Sequence, residues 1–140
     1  MKFKYQRLML KTAFIYLLIG MLLGLLMYLS PVLPNAPYLL LRTTHVHLIL
    51  VGAVMQIIMG VALWMFPREK APPHFTSEKS GMILYFVFNA GTLIRAVCEP
   101  FAAPGEILYF TALVGILLQL GGIGFFVTLI FRRIRVPGGE

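Results

Sequence analysis

The stretch LRTTHVHLILVGAVMQIIMGVALWMFP, residues 41–67, decides how the rest of the chain is interpreted. Two histidines, His45 and His47, stand near its start, and an uninterrupted apolar run follows them. A helix of roughly 20 predominantly apolar residues is long enough to cross the hydrocarbon core of a bilayer. The chain has 3 histidines in all. The stretch therefore predicts a membrane-spanning helix that carries most of the protein's imidazoles at one end.

Three more apolar runs, at 12–29, 81–98 and 106–131, are similarly long. Of the 140 residues, 59% are hydrophobic and 12% are charged, the latter about half the charged share of a typical soluble domain. Spanning strands would need alternating patterns, which these runs lack. The sequence therefore predicts an all-α fold, a single integral membrane domain over residues 1–140 arranged as a four-transmembrane-helix bundle. The expected helices cover 10–30, 44–66, 80–98 and 106–132.

The basic residues indicate how the bundle is oriented. The 12 lysines and arginines include four in the N-terminal tail, three in the loop at 67–80 and three in the C-terminal tail. With four spans, these three segments lie on one face, which the positive-inside rule makes cytoplasmic. We therefore expect both termini in the cytoplasm and a multi-pass protein of the cell inner (plasma) membrane. The net charge of +7 then marks topology and lipid contact, and no nucleic acid partner is expected.

The two histidines of the second span point in different directions. At about 100° per residue, His45 and His47 lie about 200° apart around a helix. His45 shares its face with small and polar residues, whereas His47 shares its face with aliphatic ones. The first face carries Gly52, Gln56 and Gly60, and the second carries Val51, Val54 and Ile58. One helix turn therefore cannot bring both imidazoles to a single metal ion.

The predicted topology also sets the depth of the other polar residues. Arg95 and Glu99 on the third span fall near the outer level of the two histidines, and three amides lie close to mid-membrane. These amides are Gln56, Asn89 and Gln119. Polar side chains at such depths are costly unless they face the bundle or one another. We expect an outer layer of histidine, arginine and glutamate, and a central layer of amides that joins helices.

Two interpretations of the outer layer remain open at this point. The histidines could bond to lipid headgroups, with Thr43 or Thr44 capping the helix, or they could ligate a transition metal or heme iron. Likewise, Arg95 and Glu99 could form an ion pair within their helix, or Arg95 could neutralise a buried anion such as a heme propionate while Glu99 tunes it.

The segment HVHLILVGAVMQIIMGVALWMFP resembles the second transmembrane helix of subunit I in the heme-copper oxidase and nitric oxide reductase superfamily. The matching features are a histidine at the outer end (His45), a glycine fifteen residues later (Gly60) and the aromatic-proline exit WMFP at 64–67. The resemblance implies that His45 is an axial ligand of a low-spin heme b and makes a propionate role for Arg95 plausible by analogy. Copper is a weaker expectation.

The chain departs from that family in size and in histidine content. The family's large subunit has about twelve helices and several more histidines, so the resemblance implies that a single chain cannot be a complete oxygen or NO reductase. The family fold consists of three four-helix arcs, and a homotrimer of an arc-like chain would approximate it, with a dimer as the alternative. Whether the protein is an enzyme stays open.

The sequence thus favours a membrane heme b-binding protein of heme-copper-oxidase-like architecture, which transfers one electron or binds a gas ligand at the outer side of the membrane. His45 and His47 are the expected metal ligands, and with Arg95 and Glu99 they form the expected cofactor-binding set. The expected partners are the lipid bilayer, further copies of the chain and a respiratory-chain redox partner. The alternative is a non-catalytic accessory or assembly subunit of a respiratory oxidase.

Overall fold

The structure, a computed structural model, describes residues 4–29, 38–66 and 78–134. The described residues form helices and contain no strand, and four of these helices are long and apolar enough to cross a membrane. The predicted all-α fold with four transmembrane helices is therefore confirmed. The helices are α1 (Lys4–Leu29), α2 (38–65), α3 (Glu78–Cys98) and α4 (Ile107–Phe131).

The first two helices begin earlier than predicted. Helix α1 starts at Lys4 and not at residue 10, and α2 starts at Tyr38 and not at residue 44. Hydropathy marks where a helix enters hydrocarbon, but lysine, glutamine, arginine and leucine are good helix formers, so backbone hydrogen bonding continues beyond that point. As a result, Thr43 and Thr44 both lie inside α2, and the expectation that one of them caps the helix is wrong.

Helix α2 changes its hydrogen-bonding pattern along its length. Tyr38–His47 is α-helical, Leu48–Met55 is π-helical and Gln56–Met65 is α-helical again. In the π-helical part each N–H bonds five residues back, a form that is rare and frequently found at functional sites. The change begins at the residue after His47, so the helix geometry alters just inside the level of the two histidines.

Local backbone preferences end α2 and shape the connection from α3 to α4. Phe66 is extended, with φ −80° and ψ 130°, as expected for a residue that precedes a proline. After α3, a 3₁₀ turn at Glu99–Phe101 contains Pro100, and Gly105 has a φ of +88°. This short connection keeps α3 and α4 adjacent, and the two helices pack extensively against each other.

Small residues allow the helices to approach one another closely. Helix α1 packs along α2, and α3 packs along α4. A Cβ atom placed on Gly60 would lie 3.2 Å from the Met9 Cβ, and one placed on Gly52 would lie 3.0 Å from the Tyr16 ring. Side chains from all four helices form the main buried cluster, which comprises Tyr5, Met9, Met59, Leu63, Leu84, Phe88, Leu129 and Ile130. Large apolar side chains cover much of the outer surface, as a lipid environment favours.

Candidate functional site

The imidazole of His45 lies between α2 and α1. Its Nδ1 is 2.7 Å from the carbonyl oxygen of Gly20. A carbonyl oxygen can only accept a hydrogen bond, so Nδ1 carries the proton and Nε2 of the neutral ring keeps its lone pair. No hydrogen bond to Nε2 occurs among the described residues. This arrangement, with one ring nitrogen fixed by a carbonyl and the other available, is typical of metal-ligating histidines.

A glycine on α1 makes room for this ring. A Cβ atom placed on Gly24 would lie 2.8 Å from Cε1 of His45 and 3.2 Å from its Nδ1. Gly20, one turn earlier, supplies the carbonyl group and lies against Ile49. The two glycines of the GMLLG segment therefore both shape the surroundings of His45, one by its carbonyl and one by its missing side chain.

His47 faces α3 instead of α1. Its Nδ1 donates to Oε2 of Glu99 at 2.8 Å, and 29% of the His47 side chain remains exposed. The sequence placed this ring on an aliphatic face of the helix and identified no protein partner for it. In the structure its partner is the carboxylate of Glu99, which lies at the same level at the end of the third span.

Arg95 completes the group on α3. Its Nη2 donates at 2.9 Å to Oε1 of Glu99, four residues later in the 3₁₀ turn that follows α3, so the ion pair that was one of the two interpretations from the sequence is present. The same Nη2 lies 3.0 Å from both ring nitrogens of His47. An atom in the ring plane at that distance from both nitrogens would clash with the ring carbons, so Nη2 lies above or below the plane of the imidazole.

The polar contacts continue from Arg95 to the fourth helix. Arg95 Nη1 donates to Oε1 of Gln119 at 2.7 Å, and Gln119 Nε2 donates to the Thr92 hydroxyl at 3.0 Å. Glu99, Arg95 and Gln119 thereby join α2, α3 and α4 through charged and amide groups. The sequence placed Gln119 in a separate central layer. Its contact with Arg95 depends on how far α4 is shifted along α3, which residue spacing does not specify.

The other two central amides behave differently from each other. Gln56 donates from Nε2 to the carbonyl oxygen of Met9 at 3.1 Å and so joins α2 to α1. Asn89 donates to the Tyr85 carbonyl of its own helix at 2.7 Å. The side-chain oxygens of both are buried without a hydrogen-bond partner in the described part of the chain. Only Gln56 of these two joins helices as expected.

The structure thus brings together three of the four predicted site residues. His47, Arg95 and Glu99 contact one another, whereas His45 faces α1 on the other side of α2. Among residues 4–29, 38–66 and 78–134, no group of three or more histidine, cysteine, aspartate or glutamate side chains could hold a metal ion. The two candidate imidazoles lie apart, since His45 faces α1 and His47 faces α3.

Comparison with known proteins identifies a family that this chain matches. The family model described as Cytochrome C and Quinol oxidase polypeptide I matches residues 4–138. Neither the curated proteins nor the solved structures contain a significant match to this chain. The family match extends over all four helices, well beyond the 23 residues on which the sequence resemblance rests.

Proposed function

Since the chain belongs to the Cytochrome C and Quinol oxidase polypeptide I family, we propose that it is a membrane protein that binds heme b and transfers one electron or binds a gas ligand near the outer side of the membrane. His45 is the proposed axial ligand. A bound heme would supply an iron that alternates between the ferric and ferrous states. The protein would supply the ligand, its orientation and the surrounding charge.

The hydrogen bond from His45 to Gly20 is the observation that supports this proposal most directly. It fixes the protonated nitrogen of the ring and orients the remaining lone pair. Gly24 leaves the ring space that any side chain would fill. A histidine that served only as a surface residue would need neither a buried carbonyl partner nor a glycine opposite its ring.

The group on the other side of α2 fits an anionic cofactor substituent. Arg95 uses both Nη atoms for Gln119 and Glu99, but its Nε is buried and has no acceptor among the described residues. Since His45 of the same chain faces α1, a propionate oxygen of a heme bound by another copy of the chain would be the acceptor that this N–H lacks. We assign Arg95 and Glu99 to balancing that charge. His47, whose Nδ1 is likewise held by an acceptor, is assigned as a second ligand or as a group beside the heme.

Ligand number supports an assembly of several copies. His45 and His47 of one chain face different helices, so a second imidazole for the same iron would come from another chain. We propose a homo-oligomer, with a trimer favoured over a dimer, in the plasma membrane with both termini cytoplasmic and a respiratory-chain redox partner. Heme is favoured over copper because the described residues offer only separate single imidazoles.

Absorption spectra of the purified full-length protein, expressed with a heme precursor, test the proposal. We expect a Soret band and reduced α and β bands of a six-coordinate heme b in the wild type. CO binding to the reduced protein would separate an open coordination position from a filled one. His45→Ala should lose most of the heme, and added imidazole should restore part of it in His45→Gly.

The third histidine provides a matched control. His74 lies in the connection between α2 and α3, outside the described residues, and His74→Ala should keep its heme. A wild-type protein without a Soret band, or a His45→Ala variant with full heme content, would overturn the assignment. The ratio of heme to chain, together with the mass of the complex, would then give the number of chains that share each heme.

A non-catalytic accessory or assembly subunit of a respiratory oxidase is the second candidate. One observation favours it: both Nη atoms of Arg95 and both carboxylate oxygens of Glu99 already have partners within the chain. Such a closed group would stabilise a bundle that serves another subunit. Stable co-purification of a heme-free chain with an oxidase large subunit would support this candidate over the first.

A further inference from the structure

A crevice lies between α1 and α2 at the end opposite the two histidines. Its volume is about 330 Å³, and it is lined by Gln6, Arg7, Leu10, Val61 and Trp64. The two helices approach closely beside it, where a Cβ atom on Gly60 would meet Met9. Leu10 and Val61 supply apolar walls, so the crevice would receive an apolar group of modest size.

The rim of the crevice is cationic and aromatic. Arg7 is exposed, and 61% of Trp64 is exposed beside it. Tryptophan is enriched at the level of the lipid headgroups, where its ring contacts chains and its N–H contacts polar groups. Arg7 also belongs to the basic end of the chain, the end predicted to face the cytoplasmic leaflet and its anionic lipids. An apolar slot with an arginine at headgroup level is complementary to a phospholipid.

A buried amide oxygen adds an independent observation. Gln6 lines the crevice, only 2% of it is exposed, and its Nε2 donates to the Leu63 carbonyl oxygen at 3.4 Å. Its Oε1 is buried and has no hydrogen-bond partner in the described part of the chain. A buried acceptor without a donor is costly, so a ligand hydroxyl that reached this oxygen would supply the missing donor.

We propose that this crevice is a specific site for one anionic phospholipid, with an acyl chain between Leu10 and Val61 and the headgroup phosphate on Arg7. Phosphatidylglycerol fits best, because its headgroup combines one negative charge with hydroxyl donors. The site is separate from the histidines, so the proposal does not depend on heme binding. It assigns Arg7 a defined ligand in addition to its contribution to topology.

Native mass spectrometry of the full-length protein in neutral detergent tests the proposal. The protein is titrated with phosphatidylglycerol and with phosphatidylcholine of the same acyl chains. We expect the first phosphatidylglycerol to bind more tightly than the first phosphatidylcholine. Arg7→Gln should weaken that first step about five-fold and remove the preference between the two lipids, since one cation near anionic lipid contributes about that factor. Soluble glycerol phosphate should not displace the lipid.

Two further variants make the test specific. Lys79→Gln removes a charge from the same end of the bundle, at an exposed position on α3 that does not line the crevice. It should leave the affinity for the first phosphatidylglycerol unchanged. Val61→Trp keeps every charge but fills the crevice, so it should weaken the first step for both lipids even if Arg7→Gln does not accumulate.

Three results would overturn the proposal. Equal binding of the two lipids by the wild type would remove the headgroup specificity. Equal losses in Arg7→Gln and Lys79→Gln would show attraction by diffuse charge instead of a site. If Val61→Trp kept its lipid and instead converted an oligomer to monomers, a second copy of the chain would be the occupant.

Discussion

Gly91 and Gly115 bring α3 and α4 together at their backbones. A Cβ atom placed on Gly91 would lie 2.7 Å from the carbonyl oxygen of Gly115, and one placed on Gly115 would lie 3.0 Å from the carbonyl oxygen of Gly91. Apolar side chains give helices little preference for one another in lipid, so close backbone contact is a main source of association. This contact lies one turn from Arg95, whose hydrogen bonds to Gln119 depend on the same helix spacing.

Gly91→Ala should therefore separate α3 from α4. The added methyl group meets backbone atoms that cannot move aside, and we expect the free energy of unfolding to fall by about 1–3 kcal/mol, the usual cost of overpacking. Denaturant unfolding of the detergent-solubilised protein measures it. Gly121→Ala is the matched control, because outside the adjacent turns of its own helix no atom of the described residues lies within 4 Å of the added methyl group. Equal stability of the two variants would contradict close packing at Gly91.

Gly24→Ala should disturb the proposed heme ligand without removing it. The new methyl group would lie 2.8 Å from Cε1 of His45, so the ring must tilt and its 2.7 Å bond to Gly20 must lengthen. We expect a lower heme content per chain and altered electron paramagnetic resonance g values. Gly124→Ala, which adds a methyl group in open space, should keep both at wild-type values. Unchanged spectra in Gly24→Ala would argue against His45 as the ligand.

The sequence predicted the number of spans well because hydropathy measures the property that places a helix in lipid. It did not predict the π-helical part of α2, since a face assignment at a fixed angle per residue assumes regular α-helical hydrogen bonding. The contact of His47 with Glu99 was also missed. It depends on the rotation of α3 relative to α2, and the sequence of either helix alone does not contain that information.

Arg133, at the basic end of the chain, is another residue whose surroundings the sequence did not predict. The sequence grouped it with Arg132 as a marker of topology, yet only 2% of Arg133 is exposed. Its position four residues after Leu129, a buried residue, was the available signal. Without knowledge of which face of α4 is buried, that spacing could not distinguish a structural arginine from a solvated one.

Removing the Arg133 side chain should loosen the basic end of the bundle. Its Nη1 donates to the Leu63 carbonyl oxygen at 2.7 Å, in the last turn of α2, and its Nη2 donates to the Tyr5 hydroxyl at 3.1 Å. A hydrogen bond from a charged group contributes about 1.5–3 kcal/mol. Arg133→Gln should therefore lower the free energy of unfolding by at least about 1.5 kcal/mol.

Two other variants distinguish the contribution of the Tyr5 contact, and the effect of net charge, from the total effect of removing Arg133. Tyr5→Phe removes only the hydroxyl acceptor and should cost less than Arg133→Gln. Lys11→Gln removes an exposed charge from α1 and should leave stability unchanged within about 0.5 kcal/mol. A loss in Lys11→Gln as large as that in Arg133→Gln would mean that net charge, not the contacts of Arg133, sets the stability.

Arg95 and Glu99 should be strongly coupled, because only 12% and 18% of their side chains are exposed. Leaving one member of a buried ion pair without its partner costs about 3–5 kcal/mol. We therefore expect Glu99→Leu to lower the free energy of unfolding by about 3 kcal/mol. Arg95→Met combined with Glu99→Leu removes both charges and should be more stable than Glu99→Leu alone. The free energies of unfolding of the heme-free wild type, the two single variants and the double variant form a double-mutant cycle that measures this coupling. Glu106→Gln, at an exposed position, is the control. Because close pairs in one network deviate from additivity by 0.5–3 kcal/mol, strictly additive losses would show that the ion pair does not hold Arg95 in place.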